Sequence, residues 1–121
     1  MMKRVLVFLN DTNLLENIRE ALTFEGYDVI PAYGLKSLAI ARNVMPDIVF
    51  SDIKTEFIRN IQDLASLKAD NVTSKIKFIF IDSGEGPDQK AVLRRNGADA
   101  FIEQPFSLKQ IFKTFDQVSR A

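Results

Sequence analysis

Short apolar runs alternate along the chain with longer stretches whose apolar residues recur at helical spacing. The runs cover 4–9, 27–32, 47–51, 77–81 and 98–102, and draw on Val, Ile, Phe and Tyr, as strands do. Between them Leu14, Leu15, Ile18 and Leu22 fall on one helical face. Leu35, Leu38, Ala39 and Arg42 with its apolar neighbours repeat the pattern, and so do Ile58, Ile61, Leu64 and Leu67. A fourth helix over 88–96 carries Ala91, Val92 and Leu93 and stops at Gly97, a residue suited to a left-handed C-terminal cap. The last stripe, Leu108, Ile111, Phe112, Phe115 and Val118, follows Ser107, whose hydroxyl suits an N-cap. Five strands alternating with five helices predict an α/β fold around a parallel sheet. No linker, repeat or low-complexity stretch interrupts the alternation, so residues 1–121 are expected to form a single domain.

Composition narrows the function classes. At 121 residues and 46% hydrophobic content the chain has enough apolar material for one core. Sixteen basic and sixteen acidic side chains cancel, which argues against the positive field that nucleic acid or an anionic membrane surface requires. Without cysteine there is neither a disulfide framework nor thiolate chemistry, and without histidine the usual general base and metal ligand are missing. Hydrolytic triads and zinc sites of the usual build are therefore excluded. The amino-terminal apolar run stops at Asn10-Asp11, too short for a signal peptide or a membrane span, and a cytoplasmic location is the expectation.

In a doubly wound sheet the functional site lies outside the carboxyl ends of the strands, where strand order reverses. That places Leu9, Asn10, Asp11, Asp52, Asp82, Ser83 and Gln104 on one rim. No glycine-rich strand-to-helix turn follows any strand, so dinucleotide and P-loop readings lack their phosphate cradle. Gly84-Glu85-Gly86 is too short and too acidic to be one, and reads as a loop before a helix opened by Pro87. Asp11, Asp52 and Asp82 could alternatively form the carboxylate cluster of a small metal-binding protein or enzyme.

Two segments carry a family resemblance. Pro46-Asp47-Ile48-Val49-Phe50-Ser51-Asp52 resembles the third strand of response-regulator receiver domains, in which an aspartate at the strand's end accepts a phosphoryl group. Gly97-Ala98-Asp99, the aromatic Phe101 and Gln104-Pro105-Phe106 resemble that family's Gly-Ala-Asp, aromatic and Lys-Pro-Phe pattern. The similarity extends from Val5 to Val118. It implies a flavodoxin-like (βα)5 fold with strand order 2-1-3-4-5, with Asp52 as the phosphoacceptor candidate and Phe101 at the switch-aromatic position.

The resemblance also exposes departures. Family members end strand one with two acidic residues that hold Mg²⁺, strand four with Ser or Thr, and strand five with Lys. The matching positions here are Leu9 and Asn10, Asp82, and Gln104. Leu9 cannot bind a metal and Asn10 offers one neutral oxygen, leaving Asn10 and Asp52 as weak metal candidates. Asp11 follows the metal pair and is expected to cap the first helix. Asp82 puts an anion where a phosphoryl group would sit, and Gln104 keeps a donor amide without the charge. Ser83 could supply the hydroxyl if the strand were read one place out of register. Lys54 could lend a fixed internal cation to Asp52 or Asp82.

The resulting expectation is an atypical receiver of two-component signalling, acting as a protein-interaction module with impaired or absent Mg²⁺-dependent phosphorylation and no enzymatic role. No cofactor is expected, and Mg²⁺ enters only if Asp52 is a working phosphoacceptor. Partners implied are a histidine kinase, an output domain or another signalling protein, with a homodimer through the helix 4, strand 5 and helix 5 face as a further option.

Overall fold

The computed structural model describes residues 3–32, 38–53, 57–84 and 87–120, apart from the side chains of 57–60 and 87. The strands are β1 (Arg4–Phe8), β2 (Asp28–Ala32), β3 (Ile48–Asp52), β4 (Lys77–Asp82) and β5 (Ala100–Glu103). They form one parallel sheet in the order β2-β1-β3-β4-β5. The helices are α1 (Thr12–Phe24), α2 (Ala41–Val44), α3 (Phe57–Ala69), α4 (Pro87–Arg95) and α5 (Leu108–Arg120). The flavodoxin-like order expected from the sequence is thus observed.

Helices cover both faces of the sheet, so its central strands are buried on both sides and read as continuous apolar runs. Val5, Val7, Ile48, Phe50, Ile79 and Ile81 pack beneath α1 and α5. Phe115 of α5 lies edge-on to both Phe50 and Tyr27, with ring centroids 5.4 and 5.6 Å apart. On the opposite face Leu6, Val49, Phe78 and Phe80 meet Leu38 and Ala41 beside β3, Leu64 and Leu67 of α3, and Leu93 of α4.

The helix ends follow local chemistry. Asp11 accepts the Leu14 N–H at 3.1 Å and caps α1. At α5, Gln110 N–H donates to Ser107 Oγ at 3.2 Å while Gln110 Oε1 accepts the Ser107 N–H at 2.7 Å, a reciprocal capping box. Gly97, beyond α4, has φ 120°, and a Cβ there would run into the Lys68 side chain.

Leu38, Ala39 and Arg42 of the second predicted stripe fall within helical turns. The described part runs as a 3₁₀ turn over Leu38–Ile40 and as α2 for four residues, and is ended by Met45 at φ 50° immediately before Pro46. Pro46 biases its predecessor away from the right-handed helical region, so the spacing cannot be continued. Leu35, part of the same predicted stripe, lies outside the described residues.

Candidate functional site

The carboxyl rim is built by short continuations of the central strands. Past β1, Leu9 is buried in the core and Asn10 is exposed. The Asn10 backbone N–H donates to Asp52 Oδ2 at 3.0 Å and joins the ends of β1 and β3. Asp52 is half-buried, and the Ser51 hydroxyl donates to its backbone carbonyl at 3.0 Å. The rim therefore brings Asn10 and Asp52 together, while Asp11 turns its carboxylate to the first turn of α1.

Asp82 is in a different setting. In register, Asp52 lies beside Ile81, and Asp82 lies beside Glu103. Side chains alternate along a strand, so Asp52 continues the Ile48 and Phe50 face toward α1 and α5, whereas Asp82 continues the Phe78 and Phe80 face toward α4. The Asp82 side chain is only 16% exposed; its Oδ1 accepts the Gly84 N–H at 2.9 Å, and its Oδ2 is 3.5 Å from Lys90 Nζ. Gln104 is exposed and attaches to the same strand end by its backbone N–H, donated to the Asp82 carbonyl at 3.0 Å. Ser83 follows Asp82 in the loop, half-buried.

Lys90, in the first turns of α4, is a site residue that the sequence reading missed. Its ammonium reaches Glu103 Oε1 at 3.3 Å as well as Asp82, and it lies 5.4 Å from the centre of the Phe101 ring. Arg94, one helical turn on, lies 5.0 Å from the same ring. Phe101 is half-buried and its ring is 6.2 Å from that of Phe80. The available signal was positional: the first turn of a helix after β4 necessarily sits over the carboxyl rim, and the i, i+4 spacing puts Arg94 on the same side. Lys54, the cation considered from the sequence, lies outside the described residues.

Mg²⁺ asks for near-octahedral oxygens with carboxylate charge among them. The end of β1 supplies a buried leucine and a backbone N–H directed at Asp52, and among the described residues no group of three acidic side chains could hold a metal. Among the described residues these donors fall short of the carboxylate set that Mg²⁺ asks for. They equally leave Asp11, Asp52 and Asp82 separate rather than clustered. No helix among the described residues is long and apolar enough to cross a membrane.

No protein-family model matches the chain. It is 24% identical over 115 residues to the polar-differentiation response regulator DivK of Brucella anthropi, covering 94% of each chain. Among solved structures it superposes on the chemotaxis response regulator CheY4 of Vibrio cholerae with a TM-score of 0.82 at 19% identity, covering 98% of this chain and 99% of that one. The signal receiver domain of a response regulator from Bermanella marisrubri gives 0.83 at 21% identity, with the same coverage. In sequence along nearly its whole length, and in fold, the chain is similar to response-regulator receiver domains.

Proposed function

We propose that the chain is a receiver-like module of two-component signalling that works by binding proteins, with Mg²⁺-dependent phosphorylation of Asp52 impaired or absent. The observation that supports this reading is Asp82: a half-buried carboxylate, paired with Lys90, occupies the strand-four position at which the resembling family carries a hydroxyl. Phosphoryl transfer depends almost wholly on positioning and on cations that offset charge. Here Gln104 supplies none, and Lys90 is already shared with two acidic groups.

The binding face in this reading lies between α4, β5 and α5. A groove of about 420 Å³ runs there, lined by Lys90, Arg94, Phe101, Glu103 and Lys113 among others. The partner is a kinase, an output domain, another signalling protein or a second copy of the chain, and the compartment is the cytoplasm. The phosphoacceptor alternative draws on one feature, the retained Asp52 at the end of β3.

Labelling with radioactive acetyl phosphate, with and without Mg²⁺, tests the proposal. The expected result is no Mg²⁺-dependent label on the wild type above that on Asp52→Asn. Stoichiometric label that requires both Mg²⁺ and Asp52 overturns it.

A further inference from the structure

We infer that Lys90 is a built-in latch that fixes the switch face without phosphate, taking over from the missing hydroxyl and strand-five lysine the task of connecting the rim to Phe101. This deepens the reading of a phosphorylation-independent receiver and rests on it. One ammonium, 27% exposed, lies within 3.5 Å of Asp82 Oδ2 and 3.3 Å of Glu103 Oε1 and stands 5.4 Å from the Phe101 ring centre. It thereby connects α4 to the ends of β4 and β5, the three elements around Phe101.

The three contacts differ in weight. Glu103 is 74% exposed, so its bond to Lys90 is screened by water and contributes little. Asp82 is 16% exposed and is already oriented by the Gly84 N–H, so its charge is held in place for Lys90. A cation over an aromatic face adds attraction of its own, and Arg94 at 5.0 Å reinforces it. Phe101 is thus bounded by Phe80 at 6.2 Å and by two cations of α4. By strand alternation Asp52 continues the other face of the sheet, on the side of Ile48 and Phe50. On this inference α4 sets the ring's position, and removing the charge of Lys90 or Asp82 is what releases it.

The test uses the ligand-free chain and compares Lys90→Met, Lys90→Arg, Asp82→Asn and wild type by amide and aromatic NMR with hydrogen exchange. Lys90→Met and Asp82→Asn should shift the same set of signals in α4, β5 and the Phe101 ring. Both should speed exchange of the α4 amides about threefold, and Lys90→Arg should restore most of the wild-type pattern. Shifts in Lys90→Met confined to residues adjacent in sequence, with Phe101 and α4 exchange unchanged, overturn the latch. So does an Asp82→Asn spectrum unlike that of Lys90→Met. A separate addition of Mg²⁺ and beryllofluoride to the wild type distinguishes the two claims. Perturbation at Asp52 that stops short of Phe101 defeats the phosphorylation-independent reading and leaves the latch standing.

Discussion

The two ends of the sheet use charge differently. At the amino ends of the strands, charged groups are tied into backbone structure. Asp99 Oδ2 accepts both Lys68 Nζ at 2.9 Å and the Phe78 N–H at 2.8 Å, and Lys68 also donates to the Ile76 carbonyl at 2.8 Å. Asp47 accepts the Arg4 N–H at 2.8 Å, and the Arg4 guanidinium reaches the Val44 carbonyl and Asp28. At the carboxyl ends Asp52 accepts the Asn10 N–H and Asp82 the Gly84 N–H, while the Lys90 ammonium is held by side chains, between Asp82, Glu103 and the Phe101 ring. At the amino edge Lys68 and Asp99 join backbone groups of neighbouring segments, so removing Asp99 leaves partly buried donors without their acceptor; at the rim the Lys90 contacts run between side chains.

Breaking the amino edge should have the largest effect. Asp99→Ala strands the Lys68 ammonium and the Phe78 N–H in a partly buried site and should cost about 2–3 kcal/mol in urea unfolding. A loss below about 0.5 kcal/mol would erase the distinction between the two ends. Asp11→Ala sharpens it from the rim side, since this carboxylate caps α1. The expected loss is about 1 kcal/mol, with faster exchange in the first turn of that helix.

Asp82→Asn should cost less than about 1 kcal/mol, because the amide keeps an acceptor for Gly84 and only the ion pair with Lys90 is lost. The smallest effect is one of pH. The Val72 N–H donated to Asp70, and then the Arg42 guanidinium, hold the Asp70 carboxyl below its ordinary value of 3.8. A depressed carboxyl stabilises the folded state fully above that value and loses its contribution as pH falls through the folded one. The stability gap between wild type and Asp70→Asn should therefore narrow only below pH 3.8, measurable by acid-limb denaturation.

Most of the architecture was legible because apolar runs and helical stripes are local. The β-branched and aromatic residues of β1, β3 and β4, the stripes of α1 and α5, and the caps at Asp11, Ser107 and Gly97 all act over a few residues. The end of the second helix was not legible, since spacing alone does not reveal that Met45 leaves the helix before Pro46. At the site, the rim positions Asn10, Asp52 and Asp82 follow from strand ends. Their partners do not: Lys90 reaches Asp82 only through the packing of α4 on the sheet, and the opposite facing of Asp52 and Asp82 depends on strand register.

The most direct measurement is an amide NMR titration of the wild type with Mg²⁺ and then beryllofluoride, a stand-in for the phosphoryl group, beside a variant combining Asp82→Thr with Gln104→Lys. A silent wild type next to a responsive double variant is the predicted result, and places the block in the replaced rim residues. Magnesium-dependent shifts in the wild type that spread from Asp52 to Phe101 would contradict it and make the chain a working phosphoswitch.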